Sequence, residues 1–204
     1  MEKTCYDNIN YPLTIKNTNE WSFKFRYDFS KALESFLSSG LLTDYISIKV
    51  IKSNKLAILS TKPAVELNII NSNLFIYDKS YSMAYFSSRK PVLWTNSFHH
   101  DKFYELKYKK MDVFGFTSAI SLYSGDNDKM ISVSFATQIS NKDINTYYLS
   151  NIDYLSKIAY FVEKISLPMF NEMFSTNLGN NSCFTKSNLK VKPRFFLAVN
   201  NTEK

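Results

Sequence analysis

The chain has 204 residues, with 25 Lys and Arg against 18 Asp and Glu, a formal charge of +7, and 45% hydrophobic and 16% aromatic residues. This composition excludes intrinsic disorder as the main state, and 4 Gly and 5 Pro exclude collagen-like or low-complexity architecture. The length fits one domain and suffices to bury a core without disulfides or metals.

The basic residues are Lys apart from Arg26, Arg89 and Arg194, and they are scattered rather than clustered. A dedicated nucleic-acid binder concentrates Arg and Lys on one element, so the charge reads as Lys-rich background. Cys5 and Cys183 lie near opposite ends and form neither a disulfide framework nor a metal site. Residues 1–10 are polar and lack a signal-peptide core, and no apolar run is long enough to span a membrane. These features point to a soluble, cytoplasmic protein.

In chain order, residues 1–20 read as a loose entry segment. Phe25, Phe29, Leu33, Phe36 and Leu37 fall at helical spacing and predict a helix from Phe25 to Ser39, closed by Gly40. Tyr45 to Ile51 alternates apolar residues with Ser47 and Lys49, the pattern of a half-buried strand. Lys55 to Leu59 reads as its hairpin partner across Ser53-Asn54. Pro63 opens a short helix. Asp78 to Ser88 reads as another, and Val92-Leu93-Trp94 as extended chain after Lys90-Pro91. His99 to Met111 is read as a helix. Phe114 to Tyr123 and Met130 to Thr137 are strand-like and flank the turn signal Ser124-Gly125-Asp126-Asn127. A long helix follows from Asp143 to Lys164, with Ile144, Tyr148, Ile152, Leu155, Ile158 and Phe161 on its apolar face. Pro168 and the run Asn177 to Ser182 mark the end of the compact part. Hairpin strands among helices predict an α+β fold, helices packed about one antiparallel sheet.

Catalytic signatures are missing. There is no phosphate-binding Gly loop and no G-x-S-x-G elbow. His99 and His100 are the only histidines, and adjacent residues on a helix point about 100° apart, which makes a poor chelating pair. The reading is a non-enzyme without cofactor or metal.

Residues 59–94, LSTKPAVELNIINSNLFIYDKSYSMAYFSSRKPVLW, resemble the autoinducer-binding domain of LuxR-type quorum-sensing receptors. The family pattern is L-S-x-Y-P-x-x-W, then Y-D-P, then P-x-x-W. The resemblance continues through Phe114-Gly115-Phe116-Thr117 and Val133-Ser134-Phe135 and covers roughly residues 25–170. It implies an α-β-α sandwich with a pocket between the sheet and one helical layer. In the family that pocket holds an acyl-homoserine lactone, its head gripped by aromatics and an Asp.

Carried over residue by residue, Trp94 stands at the family's Trp, Ser134 at the Ser of L-S-F, and Thr117 at the strand Thr. Lys62 stands where the family has Tyr and Glu66 where it has Trp; four apart on a helix, the two are placed to pair with each other. A count without gaps puts the Asp position on Lys79, with Asp78 one residue earlier and also suited to a helix N-cap. Trp94, Asp78, Ser134, Thr117, Lys62, Glu66 and Lys79 are thus the candidate ligand-binding residues. Lys62, Glu66 and Lys79 disfavour a neutral lactone head, because unpaired buried charge is costly.

The implied organisation is a loose segment over 1–20, a sensory domain over 21–172 and a basic, disordered tail over 173–204. Nothing from Cys183 to Lys204 resembles a recognition helix, so direct DNA readout is not expected. The implied function is a bacterial, stand-alone LuxR-like domain that senses an acyl-homoserine lactone or a more polar small molecule. It would regulate transcription through protein contact, as a homodimer or as a heterodimer with a full-length LuxR-type regulator, in the manner of an anti-activator. The alternative is a protein-interaction module that keeps the sandwich and has lost ligand binding. Neither involves a membrane.

Overall fold

The computed structural model describes residues 21–38, 42–52, 55–125 and 129–176. Gly40, Ser53-Asn54, Asp126-Asn127, both cysteines and the segment from Asn177 onward lie outside the described residues.

Helix α1 (Arg26–Ser38) leads into strands β1 (Tyr45–Lys52) and β2 (Lys55–Ser60). Helix α2 (Ala64–Asn71) follows Pro63, then come two 3-10 turns (Leu74–Tyr77 and Lys79–Tyr81), α3 (Met83–Ser88), β3 (Val92–Leu93) and the single turn α4 (Trp94–Ser97). A further 3-10 turn (His100–Lys102) precedes α5 (Phe103–Lys110), and another (Asp112–Phe114) precedes β4 (Ser118–Gly125) and β5 (Lys129–Thr137). Helices α6 (Ile144–Ser150) and α7 (Ile152–Thr176) complete the described chain.

The strands form one antiparallel sheet in the order β2-β1-β5-β4-β3. Strand side chains alternate between faces, and each face has its own core. Ile46, Ile48 and Val50 of β1 and Val133 and Phe135 of β5 meet Phe29 and Leu33 of α1 and Leu155, Ile158 and Val162 of α7. Tyr45 and Ile51 of β1, Ile58 of β2 and Tyr123 of β4 meet Val65 and Ile69 of α2, Trp94 of α4 and Leu106 of α5. This is the α-β-α sandwich around one antiparallel sheet that the sequence predicts. Among the described residues no helix is long and apolar enough to cross a membrane.

Three local expectations are corrected. Strand β1 is not half-buried: every residue from Tyr45 to Ile51 is buried, because helices cover both faces of the sheet. The predicted helix from Asp143 to Lys164 is two helices that part at Asn151. Its second half passes through Pro168 to Thr176 and so crosses residue 172. Proline removes one helical hydrogen bond, but Phe170 and Met173 bury in the core on the far side and hold the next turn in place. The stretches 78–88 and 99–111 each begin with a 3-10 turn before the α-helix.

Candidate functional site

The sheet face beneath α2–α5 is unusually polar. Strand register aligns Ser60 of β2, Ser47 of β1, Ser134 of β5 and Ser121 of β4 in one row across the sheet. The next row is Ile58, Lys49, Ser132 and Tyr123. The five serines and Lys49 have no exposed surface, and Tyr123 retains 7%.

Helices and turns bring more polar groups down onto this floor. Glu66 comes from α2, where Val65 and Ile69 fix the inward face. Its two oxygens accept from the phenols of Tyr45, at 2.7 Å, and Tyr81. Asp78 caps the 3-10 turn Lys79–Tyr81: Oδ1 accepts from the Ser80 amide at 2.9 Å and from Ser97 Oγ at 2.8 Å. Asp78 also bridges the chain to Phe98, and this pairing docks the turn beside α4. Its Oδ2 meets Lys110 Nζ, from the last residue of α5, at 2.5 Å. Trp94 donates its indole N–H to Ser121 Oγ at 3.0 Å, and Ser121 and Ser134 share a hydrogen bond at 2.7 Å. The Trp94 ring lies edge-on to Tyr45, and Lys110 Nζ sits 3.9 Å from its centre.

Four charges, Lys49, Glu66, Asp78 and Lys110, are therefore buried together with a formal sum of zero. Burial alone would raise the carboxyl pKa of Glu66, but Lys49 and Lys110, with the two phenols, hold it below 4.5. Burial likewise opposes ionisation of Asp78, and Lys110 and Lys49 outweigh it, so its pKa falls below 3.8. At Lys49 burial prevails over the neighbouring charges. Burial pushes its pKa down from 10.5 to about 8, and the field of Glu66 offsets only part of this. Burial and the Glu66 charge drive the phenols of Tyr45 and Tyr81 well above 10.0.

Lys49 differs from Lys110 in its contacts. Its Nζ lies over the Tyr81 ring, 3.7 Å from the centre, but has no hydrogen-bond partner. Ser47 Oγ, Ser132 Oγ and Tyr123 OH are also buried without a partner. The hydroxyls of Ser121 and Ser132 lie near enough to Tyr123 to temper the rise that burial imposes on its pKa, yet no hydrogen bond of normal geometry forms.

Of the residues singled out from sequence, Trp94, Asp78, Ser134 and Glu66 come together in this cluster. Asp78 rather than Lys79 takes the interior position; Lys79 is half-buried outside the cluster. Lys62 does not pair with Glu66: it is half-buried, with Nζ 5.1 Å from the centre of the Phe116 ring. Glu66 turns inward because two phenols meet it there. Thr117 is exposed, and its hydroxyl donates to the Ile139 carbonyl at 2.6 Å, away from the cluster.

Sequence reasoning missed Lys49, Lys110, Tyr45, Tyr81, Ser121 and Ser97. Lys49 sits at a polar position of an alternating strand, the usual signature of a solvated face. Lys110 closes the run Lys107-Tyr108-Lys109-Lys110 and has nothing to set it apart. The one available signal was the coincidence of Ser47, Ser121, Ser132 and Ser134 on same-parity positions of paired strands.

The imidazole ring centres of His99 and His100 lie 4.3 Å apart, and His99 is extended (φ −68°, ψ 139°) ahead of the 3-10 turn. With Asp101 they place ligand-type atoms within 4.8 Å of one another. His99 Nδ1 already accepts the Asp101 amide, at 3.3 Å.

No family model matches the chain, and no curated protein does. Solved structures similar to it in fold include the N-acylhomoserine lactone dependent LuxR family transcription factor CepR2 from Burkholderia cenocepacia. It is 13% identical, with a TM-score of 0.47 over 69% of this chain and 94% of that one. SdiA of Escherichia coli is 16% identical, with a TM-score of 0.46 over 82% of this chain and 74% of that one. The LBD domain of VqsR from Pseudomonas aeruginosa is 10% identical, with a TM-score of 0.46 over 72% and 96% of the two chains. Each of these likenesses is one of fold.

Proposed function

We propose that the chain is a sensory domain whose site between the sheet and α2–α5 takes a polar small molecule, and that it regulates transcription by contact with a protein partner. The observation that carries this reading is the group of adjacent buried polar atoms without partners: Ser47 Oγ, Lys49 Nζ, Ser132 Oγ and Tyr123 OH. Each such group costs about 1–3 kcal/mol when left unsatisfied, so the interior is built to meet further acceptors and donors. The sequence resemblance supports a sensory role and links it to transcription control. Dimerisation with a second copy or with a full-length LuxR-type regulator, the latter as an anti-activator, is the form of protein contact this reading favours.

A neutral acyl-homoserine lactone is the poorer ligand. Asp78 is saturated by Lys110, Ser97 and the Ser80 amide, and the Trp94 N–H is held by Ser121. The same saturation favours the second reading, an interaction module in which internal pairs stand where a ligand's head would lie.

Denaturant unfolding with and without two probes tests the choice: hexanoyl-homoserine lactone, and the low-molecular-weight extract of a bacterial culture. A ligand present at 100 times its Kd raises stability by about 2.7 kcal/mol. A rise with the extract that exceeds the rise with the lactone supports a polar ligand. No rise with either one overturns sensing and leaves the interaction module.

A further inference from the structure

We infer that the interior site reads an amphiphilic monocarboxylate, whose carboxylate is received by Lys49 Nζ together with the hydroxyls of Ser132, Ser47 and Tyr123. This rests on the sensory reading above and names the ligand class.

Lys49 is a donor-only cation with no exposed surface and no hydrogen bond. The neighbouring carboxylates are engaged by other donors and make no hydrogen bond to it. Asp78 Oδ2 is 2.5 Å from Lys110, and both Glu66 oxygens accept from phenols. Among the described residues no ion pair includes Lys49.

The hydroxyls beside it are placed by strand register. Ser132 lies directly across from Lys49, Tyr123 directly across from Ser132, and Ser47 two residues along the same strand face. Directly opposed side chains on a sheet are about 5 Å apart at Cβ. An ammonium that shares a buried sheet face with hydroxyls lacking a partner is a receptor for acceptor oxygens, and charge-assisted bonds of this kind are the strong ones.

The surroundings set the rest of the ligand. Ile51, Leu56 and Ile58 continue the same sheet face, and Ile69 and Leu74 cover it. A small hydrated dianion finds no match there, whereas one carboxylate on an apolar body does.

Binding of hexanoate, acetate and the neutral isostere hexanamide to the full chain, measured by isothermal titration at pH 7, tests this. The expected result is hexanoate binding at least tenfold tighter than hexanamide and tighter than acetate. Lys49→Met should abolish the preference for the acid, and Ser132→Ala should weaken hexanoate several-fold in a protein whose charges are intact. Hexanamide binding as tightly as hexanoate, or a preference that survives Lys49→Met, overturns the carboxylate assignment and leaves the sensory reading standing. No binding of any of the three probes overturns the assignment, and a crystal structure with only water at Lys49 does the same. The sensory reading falls separately, on the extract and lactone experiment.

Discussion

Lys110 Nζ lies 2.5 Å from Asp78 Oδ2, and neither side chain has any exposed surface. The pair joins the end of α5 to the turn after α2, so a buried ionic contact adds to the apolar packing between two segments of the helical layer. Lys110 also lies within reach of Trp94, Tyr81 and Phe98, whose ring faces favour a desolvated cation.

Removing one member strands the other. Lys110→Met is expected to cost about 3–5 kcal/mol, because Asp78 keeps a buried charge without its counter-ion. The double variant Lys110→Met/Asp78→Asn should cost less than the single one, since no unpaired charge remains. Urea unfolding of the wild type, both single variants and the double variant measures this. A Lys110→Met cost below about 1 kcal/mol would contradict the buried pair.

Stability should respond to pH at both ends. Glu66 and Asp78 have folded pKa values below 4.5 and 3.8, so their contribution is present above those values and is lost as pH falls through and below them. The Lys49 pKa is depressed too, so its slope has the same sign, but it acts in a higher pH window and as a penalty that is relieved once the ammonium is neutral. Between its folded pKa of about 8 and its unfolded value of 10.5 the unfolded chain binds more protons, so stability rises with pH there, by at most about 1.4 kcal/mol per unit. Above about 10 the rise ends, because unfolding releases phenol protons that folded Tyr45 and Tyr81 retain. Melting temperature scanned from pH 3 to 11 should therefore climb between 8 and 10, and Lys49→Met should flatten that climb. An unchanged climb in Lys49→Met would exclude Lys49 as its source.

The relay from Trp94 Nε1 through Ser121 to Ser134 is fully buried. Ser121→Ala leaves the indole donor unsatisfied, at a cost of about 1–3 kcal/mol. Adding Trp94→Phe removes that donor, so the second substitution should cost less in the Ser121→Ala background than in the wild type. A double-mutant cycle reports the coupling. Strict additivity would mean that the hydrogen bond contributes nothing.

The fold was largely legible in the sequence, because periodicity reports faces. Phe29 and Leu33 on α1 and the alternation in β1 locate one core directly. The cluster was legible only where a motif pointed to it, as at Trp94 and Asp78. Lys49 could not be recognised, since a lysine at a polar strand position has the same sequence signature whether water or a second helical layer covers that face. Lys110 depends on a tertiary neighbour far away in sequence, and no local pattern encodes that. The inward turn of Glu66 has the same origin: its competing partner Lys62 is local, while Tyr45 is placed by the sheet.

Pro168 gives the last test. It sits inside α7, exposed to solvent, between the buried residues Ser166 and Phe170. A proline in a helix interior lacks the donor to the carbonyl four residues back and crowds that carbonyl, at a cost near 3 kcal/mol in an otherwise regular helix. The helix continues because the apolar face on both sides of it, with Val162, Phe170 and Met173, is buried in the same core. Pro168→Ala restores the donor without removing a buried group and should stabilise the protein by about 1–3 kcal/mol in urea unfolding. A destabilised variant would show that the geometry around Pro168 is part of what seats Phe170, and that the helix is not merely tolerating the ring.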